Sequence, residues 1–288
     1  MARIGVQMMM LKEHVEQLGP YEVLRRLHEI GFGSVEVSQI PMTEENLAEM
    51  ARARQELGTQ FAAMSAVVGA SPTAANDSLS EQFDKVVADA KTLGTDKIRI
   101  GMMPFDAMAS ADALAKFCAD ADEIAGRLQE HGITLYYHNH HVEFARVGGG
   151  LILDTIRAAA PRMRLEIDVH WVQRGGKDPV RTLQKYAGSV DLVHLKDYRI
   201  AALPESAFEA LQAGDVAGFM ALFTGPEVVQ FGEVGEGNLE WPEIIAAAQE
   251  AGAQHLLIEQ DVQYGVDPFD ALTISHRNLT EMGFGDLF

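Results

Sequence analysis

The stretch RLEIDVHWVQRGGKDPVRTLQKYAGSVDLVHLK, residues 164–196, reads as a strand, a helical connection and a second strand. Arg164–Val169 and Val190–Lys196 are short and rich in Ile, Leu and Val, as expected of strands covered on both faces. Pro179–Tyr186 between them has helical spacing, and a connection of this kind is what parallel pairing requires.

The same unit recurs about eight times along the chain. The other strand-like runs are Arg3–Gln7, Ser34–Ser38, Gln60–Val67, Lys97–Gly101, Thr134–His140 and His255–Gln260. Helical spacing fills Pro20–Ile30, Glu44–Glu56, Leu79–Leu93, Ala109–Glu130, Leu151–Ala160, Trp241–Ala251 and Pro268–Met282. Pro20, Thr43 and Asn238 stand where helices start, and Gly31, Gly94, Gly132 and Gly252 where they stop. Eight strand–helix units in 288 residues predict a closed (β/α)₈ barrel, a TIM barrel, forming one domain over residues 1–288. An open doubly wound sheet would usually carry a Gly-rich phosphate turn after its first strand, but here Met8-Met9-Met10 follows, read as core and mouth lining. The period breaks once, at about 199–232. Pro204–Leu222 reads as a helical insertion after strand seven, lying over the barrel mouth or serving an oligomer contact, or else as a lengthened seventh helical layer.

Composition narrows the function. Forty-two acidic against 23 basic residues give a net charge of −19, a field that repels a phosphate polyanion, so no nucleic-acid partner is expected. No apolar run approaches the roughly 20 residues that span a bilayer, so no membrane partner is expected either. Met1–Gly5 lacks a signal-peptide core, and the single Cys118 can form no internal disulfide; both fit a cytoplasmic protein. Cys118, mid-helix with no histidine motif beside it, is not read as a nucleophile.

In such barrels the chemistry sits at the C-terminal strand ends. Those ends carry Glu36, His138 and His140, Asp168, His194 and Lys196, and Glu259. Side chains alternate along a strand, so His138 and His140 share a face. His138, Asp168, His194 and Glu259, if all turned to the axis, form a nitrogen-and-oxygen cage for a divalent metal ion. Unpaired buried charge is costly, which makes converging carboxylates hard to explain without a cation. Gly148-Gly149-Gly150, with Arg146, Arg174 and Lys177 to help, reads as an anion-binding loop or simply a flexible one. Asp197 is expected to pair with Lys196 or Arg199.

Together, Tyr137-His138-Asn139-His140, Ile167-Asp168, Val193-His194-Leu195-Lys196-Asp197, Gly235-Glu236-Gly237-Asn238-Leu239-Glu240-Trp241 and Ile258-Glu259 resemble the xylose isomerase-like TIM-barrel superfamily. It includes sugar-phosphate isomerases and epimerases, inosose dehydratase and endonuclease IV. The resemblance implies that Asp168, His194 and Glu259 are metal ligands. It departs at strand five, where the epimerases' glutamate is replaced by His138, a departure toward the dehydratase side. His140 matches a histidine that serves some members as a base. Replacing a carboxylate by an imidazole makes the cage one charge less negative, worth about 4 kcal/mol at 4 Å and an effective dielectric of 20. The change favours Mn, Co, Fe or Zn over Mg.

The expected activity is isomerisation or epimerisation of a keto-sugar or related polyol through an enediolate. His140 or Glu259 moves the proton, Lys196 stabilises negative charge, and Glu36, Tyr137, Trp171 and Arg174 meet the substrate. The alternative is a lyase, resembling a keto-inositol dehydratase, that expels a hydroxyl from the same intermediate. An endonuclease IV-like site is opposed by Trp171, which stands where that branch has a histidine, and by the net charge. A non-catalytic sugar-binding or assembly protein is the remaining alternative. The expected partners are a small carbohydrate substrate and a second copy of the chain in a homo-oligomer.

Overall fold

The computed structural model describes residues 2–69 and 76–288. Eight parallel strands close into a barrel in which each strand pairs with the next and the last with the first. In chain order they are β1 (Arg3–Gln7), β2 (Ser34–Val37), β3 (Gln60–Ala66) and β4 (Lys97–Ile100). Then come β5 (Thr134–His138), β6 (Arg164–Asp168), β7 (Val190–Leu195) and β8 (His255–Ile258). Most strands stop one or two residues short of the apolar runs, so His140, Lys196 and Glu259 stand just beyond them, at the rim.

The helices form for local reasons and bury one stripe against the strands. Ser110 caps Ala111–Gln129 by accepting the Ala113 N–H at 3.1 Å. That helix buries Leu114, Phe117, Cys118, Ala121, Ile124, Ala125 and Leu128, a spacing of three and four residues. Two helices go beyond the sequence reading, Lys12–Leu18 and Val169–Arg174. The lower barrel interior is closed by Ala62, Ala63, Tyr136, Leu192 and Leu257, leaving polar groups to the upper layers.

The break in the period is more than a helical insertion. Asp197–Ile200 pairs antiparallel with Val229–Gly232, and the helices Glu205–Gln212 and Val216–Phe223 lie between these two strands in the chain. The triple glycine is a hairpin: Arg146–Val147 pairs with Gly150–Leu151. Gly148 and Gly149 between them have φ of 62° and 90°, the two positive values that a tight hairpin turn requires.

Among the described residues no helix is long and apolar enough to cross a membrane.

Candidate metal centre

Strand register brings the expected residues together. Asp168 pairs with His194 across β6 and β7, and His138 pairs with Glu166 across β5 and β6. His138, Asp168, His194 and Glu259 are buried, and one donor atom from each lies within 4.8 Å of the others.

Each donor is aimed by a partner behind it. His138 Nδ1 lies 3.3 Å from the Gly101 carbonyl, which holds the ring proton there and leaves Nε2 bare. Asp168 Oδ1 accepts the Trp171 backbone N–H at 2.9 Å and caps Val169–Arg174. Asn139 Oδ1 accepts the Asp168 N–H at 3.1 Å. Gln7 donates to Glu259 Oε1 at 3.1 Å, and Glu259 Oε2 lies 2.6 Å from His194 Nδ1.

Two donors face the centre without a hydrogen bond. His138 Nε2 and Asp168 Oδ2, 3.5 Å apart, are buried and have no hydrogen-bond partner among the described residues. Buried polar atoms are normally satisfied, so this pair is where a cation fits. The charge balance agrees. Buried Glu36, Asp168 and Glu259, with Asp261 at the rim, face two fixed cations, Arg99 and Lys196. Burial and Glu36 push the Glu166 carboxyl up to about 8. Burial opposes charge on His194, but Glu166, Glu259 and Glu36 outweigh it and hold the imidazole well above its usual range. The cluster draws positive charge to its middle, as a divalent ion would supply. Two imidazoles and two carboxylates suit such an ion.

Around the quartet, His140 borders the cavity, its ring 4.8 Å from that of His138 and 5.3 Å from Trp171, with Nδ1 unpaired. Burial, with His138 beside it, pushes its imidazole down to about 2. Lys196 is buried and reaches Asp261 at 2.9 Å, Glu259 at 3.4 Å and Asp168 at 3.6 Å. Its ammonium lies against Trp171 and Phe231, 4.9 and 5.2 Å from the ring centres; Phe231 comes from the inserted ribbon.

A cavity of about 990 Å³ opens over this end of the barrel. His138 and Glu259 line it, together with amides such as Gln7, Gln39 and Gln260, with Met9, Met10 and Met103, and with the charged Lys12, Glu13, Arg99 and Asp261.

Three residues lie elsewhere than a sugar contact needs. Tyr137 is on the face of β5 opposite His138, packed against Phe117. Its hydroxyl donates to Glu143 at 2.6 Å, and Glu143 accepts the His140 N–H at 2.7 Å; Tyr137 braces the loop that carries His140. Glu36 is buried beneath the quartet, paired with Arg99 at 2.7 Å. Arg174 is exposed, its guanidinium 5.4 Å from the Trp171 ring.

Asp197 also departs from expectation. Its carboxylate accepts the backbone N–H groups of Tyr198, Gly235, Gly237 and Leu239 and the Trp241 indole N–H, at 2.7–3.4 Å. A Cβ on Gly237 would come within 2.1 Å of Asp197 Oδ1, so only glycine lets the loop close on it. A cradle of backbone N–H groups able to take an anion is thus filled by the protein's own carboxylate. Sequence reading missed Gln7, Glu36 as a partner of Arg99, and Glu166; their one signal was a polar residue at an inward position of a buried strand.

A family model described as xylose isomerase-like TIM barrel matches residues 24–273. Among solved structures, a sugar phosphate isomerase/epimerase from Parabacteroides distasonis superposes with a TM-score of 0.75 at 18% identity, covering 98% of this chain and 99% of its own. The probable 3-DHS dehydratase AsbF from Bacillus anthracis gives 0.68 at 15%, covering 97% and 99%. The IolI protein, whose structure holds a zinc atom, gives 0.68 at 13%, covering 99% of each chain. A search of curated protein sequences finds no match.

Proposed function

Because the chain belongs to the xylose isomerase-like TIM-barrel family, we propose that it is a divalent-metal-dependent enzyme that isomerises or epimerises a keto-sugar or related polyol through an enediolate. The observation that carries this reading is the pair His138 Nε2 and Asp168 Oδ2, 3.5 Å apart, buried and without a hydrogen bond among the described residues. With His194 and Glu259 they would hold the ion. When bound, it acts as a Lewis acid on the substrate carbonyl and adjacent hydroxyl.

The chain's own residues supply the rest. His140 is half-buried beside His138, and its Nδ1 has no hydrogen bond among the described residues, which leaves a ring nitrogen free to take a proton from the carbon beside the carbonyl. Glu259, fixed by Gln7 and His194, is the second group able to move that proton. Lys196 keeps a positive charge beside Asp168 and Glu259, which favours negative charge developing on the substrate. Trp171 and Phe231 give the Lys196 side of the site an apolar wall. The amides of the cavity suit the hydroxyls of a polyol substrate.

A lyase is the second reading. His138 replaces a carboxylate able to act as a base, and chemistry with one principal base, His140, suits removal of one proton followed by loss of a hydroxyl. Incubation with keto-sugars and inososes in D₂O, followed by NMR, tests both. Deuterium at the carbon beside the carbonyl without loss of water supports isomerisation or epimerisation. An enone absorbance supports the lyase, and neither signal across the panel contradicts the proposed chemistry.

A further inference from the structure

Beneath the quartet lies a second buried layer that the proposed chemistry does not use. Glu36 and Glu166 each sit at a shift in strand register, a device that re-aims a side chain. Arg99 donates through Nε to Glu36 Oε1 at 2.7 Å and through Nη2 to Ser38 Oγ at 3.1 Å, and approaches Glu166 Oε2 at 3.3 Å. Both Glu36 oxygens lie 3.4 Å from His194 Nε2, Oε2 in hydrogen-bonding geometry; Glu166 Oε1 is nearer, at 3.2 Å, but outside that geometry. The opposite nitrogen, Nδ1, faces Glu259 Oε2 at 2.6 Å and Asp168 Oδ2 at 3.8 Å. His194 therefore turns one ring nitrogen to each layer.

We propose that Glu36, braced by Arg99, is a positioning residue: it takes the Nε2–H of His194 and so fixes the tautomer and ring plane that present Nδ1 to the ion. The proposal rests on the metal-dependent reading above. A neutral imidazole carries a proton on one nitrogen and a lone pair on the other. The opposite arrangement would set a lone pair against the Glu36 carboxylate and an N–H against the ion. Arg99 holds Glu36 in place from below through Oε1.

Glu36→Gln is the matched variant, because its amide keeps the size of the carboxylate but can turn an N–H₂ toward His194 Nε2 and reverse the pattern. Zinc affinity, read by competition with a chromophoric chelator, is expected to fall about 10- to 100-fold, with the circular dichroism spectrum unchanged. Arg99→Lys, which keeps the charge but loses the forked geometry, should weaken zinc less. Independently of any variant, ¹⁵N shifts of the histidine-labelled, zinc-loaded wild type should show His194 coordinated through Nδ1 and protonated at Nε2. Wild-type zinc affinity in Glu36→Gln, or coordination through Nε2, overturns the proposal while leaving the metal centre standing. If Glu36→Gln does not fold, the wild-type shifts decide. A wild type that binds no zinc overturns the metal centre and this inference together.

Discussion

Asp168 and Trp171 are joined through one half of a carboxylate: Oδ1 caps the short helix at the Trp171 N–H, 2.9 Å away, while Oδ2 has no hydrogen-bond partner among the described residues. The two halves can be separated by mutation. Asn caps a helix about as well as Asp, so Asp168→Asn should keep stability within about 0.5 kcal/mol of wild type. Its metal affinity and turnover should each fall by at least about 100-fold. Asp168→Ala should lose, in addition, about 1 kcal/mol of capping. Urea unfolding and chelator competition on both variants check this.

The donor set also predicts which ions restore function. Dialysis against a chelator should abolish turnover, and Mn, Co, Fe or Zn should restore it better than Mg, since two of the four donors are imidazoles. Recovery with Mg equal to that with Mn would contradict the ligand set.

Asp197 is predicted to be a structural anion. Removing a buried acceptor of five hydrogen bonds leaves several donors unmet, at about 1–3 kcal/mol each before relaxation. Asp197→Ala should therefore lose at least about 3 kcal/mol of stability, with a shift in Trp241 fluorescence, because the indole N–H bonds this carboxylate at 2.7 Å. Asp197→Asn keeps one carbonyl oxygen and should lose less.

Cys118 is buried in the helix Ala111–Gln129, and burial pushes its thiol up to about 11. At pH 8 the folded protein should react negligibly with a thiol reagent. In denaturant it should release one equivalent, from the single cysteine of the chain. Fast labelling of the folded state would contradict the packing described.

The barrel was legible because each strand is a short apolar run and each connection has helical spacing. The convergence of His138, Asp168, His194 and Glu259 followed from the same reading, since polar residues at the C-terminal ends of parallel strands are gathered by closure. Less visible was what stands behind them. Glu36 and Arg99 are 63 residues apart in sequence and meet only across the closed interior, so no local pattern pairs them. Asp197 was misread for a related reason: its sequence neighbours Lys196 and Arg199 offer charge, but the loop from Gly235 to Trp241 offers five directed donors. The ribbon at Asp197–Ile200 and Val229–Gly232 escaped notice because its two short strands are separated by two helices.

The most direct test of the metal centre is anomalous diffraction from crystals of the wild type grown with zinc, recorded on both sides of the zinc edge. A single strong peak about 2.0–2.3 Å from His138 Nε2, Asp168 Oδ2, His194 Nδ1 and a Glu259 oxygen is the result expected. A crystal with no peak among these four side chains, or with zinc only at the protein surface, would contradict it.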